Sequence, residues 1–72
     1  MAEKKAYIET AADLGAILRK ARKAQKLRLQ DMALASGVSP AWLSEVERGK
    51  ATARIGQVLH LARILGLKIA VE

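Results

Sequence analysis

The residues of this chain whose types could do chemistry are Ser39, Ser44, Glu45, Glu47, Arg48, Lys50 and His60. Nucleophilic catalysis needs a base beside the hydroxyl, but neither serine has a nearby His. There is no Gly-x-Ser-x-Gly elbow and no glycine loop that could cradle a phosphate. Glu45 and Glu47 stand two apart, so on a helix they face different ways and cannot work as a carboxylate pair. Glu47 is expected to brace the fold through a nearby arginine. His60 has no second His and no Cys to share a metal with, and reads as a helix-surface residue. The chain is therefore not expected to be an enzyme, to hold a metal or to need a cofactor. What remains is recognition by charge and shape.

Charge points the same way. Thirteen Lys and Arg against seven Asp and Glu leave a formal +6, with an isoelectric point near 10.2. A domain this basic favours a polyanionic partner, nucleic acid ahead of an acidic protein or a membrane surface. Five of the cations cluster: Arg19, Arg22, Lys23 and Lys26 recur at helical spacing with Lys20 beside them. Such a stripe is either a solvated face or a surface turned to phosphates, and spacing leaves both open.

The elements that must position these groups are short. Seventy-two residues make one small domain. Trp42 and Tyr7 are the only aromatics and Phe is absent, so the core must come from Leu, Ile, Val and Ala, a mix that favours helices. Without Cys there is no disulfide framework. The charged start, Met1 to Lys5, leads into no apolar run, and nowhere do 18 apolar residues follow one another. Neither export nor membrane spanning is supported, and the chain reads as cytoplasmic.

A first helix is expected over residues 10–26, opened by a Thr10/Asp13 capping box and burying Leu14, Ile17, Leu18 and Ala21. A second spans 29–36, burying Leu29, Met32 and Ala33, and stops at Gly37. Ser39 caps a third with Pro40 at its first position. Two helices joined by a short glycine-containing turn form the helix-turn-helix unit. On the third helix Leu43, Val46 and the flank of Trp42 share one side, while Ala41, Ser44, Glu45 and Arg48 gather on the other. That small, polar side suits close approach to a major groove, and Trp42 is expected at the core rather than stacked on bases. Gly49 closes this helix, and Thr52 is placed to cap a fourth over 53–65 with Ile55, Val58, Leu59, Ala62 and Leu65 as an apolar band. Residues 67–72 alternate like a β-strand, which must pair with a second copy or another protein. Residues 1–9 are expected to be loose, with Tyr7 and Ile8 able to dock on the core or pair with a strand.

The stretch 14–67, about three quarters of the chain, resembles the lambda-repressor-like (XRE-type) helix-turn-helix family. The resemblance is carried by Gly37-Val38-Ser39, by Leu43-Ser44-Glu45-Val46-Glu47-Arg48-Gly49-Lys50, by Thr52, and by Leu65-Gly66-Leu67. Within that family the short length and terminal strand look most like HipB-type antitoxins, DNA-binding dimers that pair their C-terminal strands and partner a HipA-like kinase toxin. The resemblance implies an all-α domain of four to five helices over 10–66, with a β-strand at 67–72 pairing across a dimer through Leu67, Ile69 and Val71, helped by Leu59.

It also implies double-stranded DNA as partner, with Pro40, Ala41 and Glu45 facing bases and Ser39, Ser44, Arg48 and Lys50 on phosphates. Family members usually start the second helix with Thr or Asn followed by Gln; here those positions hold Arg28 and Leu29, with Gln30 one residue late, so Arg28 substitutes charge for a positioned hydrogen bond. Pro40 and Ala41 offer only apolar contact and Glu45 only accepts, as from cytosine N4, so DNA shape and backbone contacts should carry much of the specificity. The expectation is a homodimeric repressor on a palindromic operator, the antitoxin of a HipBA-like system regulating its own operon. The alternative is a protein-interaction module whose main task is neutralising a partner kinase.

Overall fold

The computed structural model describes residues 7–71; residues 1–6 and Glu72 lie outside the described residues, and with them most of the 1–9 segment and the last residue of 67–72. Four helices follow one another: α1 (Ala11–Ala24), α2 (Leu29–Ser36), α3 (Pro40–Glu47) and α4 (Ile55–Ile64). The start of α1 follows from two side chains. Thr10 Oγ1 accepts from Asp13 N at 3.0 Å, and Asp13 Oδ2 accepts from Glu9 N and Thr10 N at 3.0 and 3.1 Å. Those backbone donors hold the Asp13 carboxyl below its ordinary pKa.

All four helices end in one kind of turn. A residue with positive φ follows each helix, and two backbone bonds close around it, one spanning five residues and one spanning three. After α2 these are Val38 N to Ala33 O (3.0 Å) and Gly37 N to Leu34 O (3.3 Å); after α4, Leu67 N to Ala62 O (2.9 Å) and Gly66 N to Arg63 O (3.0 Å). After α1 they are Leu27 N to Arg22 O (3.2 Å) and Lys26 N to Lys23 O (2.9 Å). Here the positive-φ residue is Lys26 (φ 58), whose Cβ makes that conformation costly, whereas Gly37, Gly49 and Gly66 serve at the other three. Lys26→Gly is therefore expected to stabilise the protein by about 0.5–1 kcal/mol, raising the thermal midpoint by a few degrees. A lower midpoint would contradict the strain.

The turn geometry feeds the core directly. Leu18, Met32, Leu43 and Leu61 are fully buried, joined by Ala33, Val46, Val58, Ala62 and Leu65. Val38 and Leu67, the residues just past two of the turns, pack on this cluster. Helix α3 packs against both α1 and α2, and α2 also meets α4. Gln25 Nε2 donates to Leu65 O at 2.8 Å, tying the end of α1 to the end of α4.

The structure departs from the sequence expectations at several points. Arg22 is not on the cationic face: it is 7% exposed, because four residues separate it from Leu18 and the two share the inward side of α1. Helix α4 begins at Ile55, and Thr52 does not cap it; Arg54 precedes the helix without a side-chain capping bond. The chain spends residues 51–53 turning and bringing Ala53 against the core before a helix can start. The α4 band divides, with Val58, Ala62 and Leu65 buried while Ile55 and Leu59 are exposed. Residues 67–71 form no strand, and no strand exists among the described residues. A strand needs a partner backbone, and among the described residues every element is a helix. Of the residues assigned to pairing between copies, Leu67 packs on the core of its own chain, whereas Ile69 and Val71 are exposed. Tyr7 is exposed, and Ile8 borders a cleft also lined by Leu14 and Val58.

Candidate nucleic-acid interface

Ser39 begins α3 by accepting from Trp42 N at 3.1 Å, which leaves its hydroxyl proton free to donate outward. Leu43, Val46 and Glu47 turn inward and Trp42 packs at the core edge, as expected from helical spacing. Facing away are Pro40, Ala41, Glu45 and Arg48, all exposed, with Ser44 half-buried between them. One side of α3 is thus free of bulky apolar groups and open to solvent along its length.

Behind that face the helix is clamped. Arg22 Nε donates to Glu47 Oε2 at 2.7 Å and Nη2 to Oε1 at 3.0 Å, while Nη1 donates to Leu27 O at 2.7 Å. Glu47 therefore does brace the fold through an arginine, and its hydrogen bonds hold the guanidinium pKa above its ordinary value. Gly15 of α1 lies against the carbonyls of Val46 and Glu47, and Gly49 (φ 101) lies against Ala12. Both ends of the α3 C-terminal turn are fixed to α1 by backbone contact.

Several further cations border this unit. Arg19, Lys20 and Lys23 are exposed on α1 and border a shallow depression whose other wall includes Glu47, which puts three of the five stripe residues beside the end of α3. At the start of α2, Arg28 and Gln30 are exposed, but Arg28 grips Asp31 through Nε at 2.9 Å and Nη2 at 3.2 Å. The pair raises the pKa of Arg28 and lowers that of Asp31. Lys50 Nζ donates to Glu45 Oε2 at 2.9 Å. Sequence reasoning missed both pairs. An acid three residues beyond a base would have signalled the first, and the positions flanking the Gly49 turn would have signalled the second. His60 is exposed on α4. No helix of the described residues is long and apolar enough to cross a membrane.

Comparison with known proteins agrees with this architecture. Residues 13–71 match the family described as helix-turn-helix domain. The chain is 44% identical over 62 residues to the uncharacterized HTH-type transcriptional regulator y4mF of Sinorhizobium fredii, an alignment covering 86% of this chain and 82% of the relative. It is 36% identical over 52 residues to a second uncharacterized HTH-type transcriptional regulator of that organism, y4dL, covering 72% of this chain and 26% of that longer protein. With a glycine turn joining α2 to α3, an open polar face on α3 and a family match across most of its length, the chain belongs to the helix-turn-helix family.

Proposed function

We propose that this protein is a sequence-specific, double-stranded-DNA-binding transcription regulator that inserts α3 into the major groove as a homodimer. The observation that carries this reading is the outward face of α3: Ala41, Glu45 and Arg48 lie exposed on one side, with no bulky apolar group among them, while the opposite side is locked into the core. Pro40, Ala41 and Glu45 meet base edges, and Ser39, Ser44 and Arg48 meet phosphates. Arg28 and Gln30 contact the backbone from the start of α2. The names of both relatives, and the surplus of cations beside α3, support the same assignment.

In this reading two copies pair through the exposed apolar residues Leu59, Ile69 and Val71 and place their α3 helices in successive major grooves, about 34 Å apart, so the operator is palindromic, and the regulator acts there as a repressor. The antitoxin role with a HipA-like kinase partner rests on the sequence resemblance. Leu34, 84% exposed on α2 away from Met32 and Ala33, is an apolar contact open to such a protein.

An anisotropy titration of a palindromic operator selected from random DNA tests the reading. Two chains should bind per duplex, and affinity should fall with salt at a slope of about −0.9 per phosphate neutralised. Arg48→Ala should weaken all sequences nearly equally and make the slope shallower by about one. Binding that ignores salt and prefers no sequence would refute DNA readout by α3.

A further inference from the structure

One side chain on the outward face of α3 and one just past the helix end are brought together by the backbone itself. The helix ends in the same turn as the other three: Lys50 N donates to Glu45 O and Gly49 N to Val46 O, both at 3.0 Å. In this turn the residues at the two ends of the longer bond stand side by side, and they commonly form an apolar contact. The α2 and α4 versions follow that habit, with Ala33 beside Val38 and Ala62 beside Leu67, each part of the core or packed on it. In α3 the same two places hold Glu45 and Lys50, joined at 2.9 Å with side chains 48% and 31% exposed.

Such an exposed ion pair contributes little to folding. It does, however, decide where the Glu45 carboxylate points. Gly49 approaches Ala12 so closely that an added Cβ would lie 2.9 Å from Ala12 Cα, so the turn that presents Lys50 runs against α1. A carboxylate has about four acceptor positions, and one ammonium occupies a fraction of them. The free positions are acceptors only; cytosine N4 and adenine N6 both donate in the major groove, but the N7 acceptor beside adenine N6 repels a carboxylate, so the matching edge is that of cytosine. The lysine charge at the same time offsets the repulsion between this carboxylate and phosphates.

We propose that Lys50 is a positioning residue that holds Glu45 as a preset acceptor for a cytosine amine, so that base selectivity at one position of the site depends on both residues. This reassigns Lys50 from a phosphate contact to a partner of the reading residue, and it rests on the DNA-binding function proposed above.

The test measures affinity for the selected operator and for its single-base-pair substitutions, using wild type, Glu45→Gln, Lys50→Gln, the double variant and Lys50→Arg, with melting curves to confirm folding. Wild type should prefer cytosine at one position of each half-site on the order of 10-fold. Glu45→Gln and Lys50→Gln should each flatten that preference at the same position, the double variant should flatten it no further, and Lys50→Arg should retain most of it. Lys50→Gln weakening every sequence alike with the cytosine preference intact would overturn the proposal, as would Glu45→Gln leaving all preferences unchanged. Wild-type protein that discriminates at no position would instead overturn the function on which the proposal rests.

Discussion

Replacing Glu47 by alanine is expected to remove about 3–5 kcal/mol of folding free energy, the usual consequence of breaking a buried ion pair from one side. The Arg22 and Glu47 side chains are 9% and 5% exposed. Without the carboxylate, Nε and Nη2 of Arg22 keep a charge out of water with two hydrogen bonds missing, and the bond to Leu27 O alone cannot compensate. A domain of this size has roughly 4–11 kcal/mol of stability in total, so the variant should be largely unfolded near its former midpoint or melt at much lower temperature. Arg22→Lys should cost nearly as much, because an ammonium cannot make a bidentate contact and reach the carbonyl as well. Changing both residues to leucine or methionine should recover most of the loss, since a filled apolar site needs no partner. Urea denaturation of wild type and these three variants measures each loss directly. A loss below about 1 kcal/mol for Glu47→Ala would show that water reaches the pair.

The Arg22 result also explains what could be read from the sequence and what could not. Caps and turns were legible because they are local. Thr10, Ser39, Pro40, Gly37 and Gly66 act within a few residues of themselves, and α2 spans 29–36 as periodicity indicates. Leu43 and Val46 were legible as inward-facing for the same reason. Arg22 was misplaced because helical spacing groups it with Lys23 and Lys26 by charge, whereas its true environment is set by Glu47, 25 positions away. Thr52 failed as a cap because a good capping residue does not start a helix where the chain must still turn back to bury Ala53. The alternation over 67–72 is a sound strand pattern, but pairing is a property of two backbones, and one chain holds only one of them. The Glu45–Lys50 contact lies between these cases: each residue stands out in the sequence and Gly49 marks the turn, but the pair follows only when the five-residue bond across that turn is drawn.

Gly15 and Gly56 turn that contrast between local and long-range control into opposite signs for one substitution. Both lie within helices, both lack positive φ, and helix propensity alone favours Ala over Gly by about 0.5–1 kcal/mol at each. At Gly56 an added Cβ meets nothing within 4 Å, so Gly56→Ala should stabilise the protein by about that amount. At Gly15 the same methyl would strike the Val46 carbonyl and come within 2.7 Å of the Glu47 oxygen. These are backbone atoms in the last turn of α3, which cannot rotate aside like the end of a side chain, so α1 and α3 must separate. Gly15→Ala should therefore cost about 3 kcal/mol despite the better helix former. Separation would also pull Arg22 from Glu47 and tilt the face that carries Ala41, Glu45 and Arg48, so the surviving folded fraction should bind DNA more weakly than its concentration accounts for. Thermal melts of the two variants decide the first point, since a Gly15→Ala midpoint at or above wild type is incompatible with this seam. Titrations of operator DNA corrected for folded fraction decide the second, because unchanged affinity would mean that α3 is held at its angle by the rest of the core and not by α1.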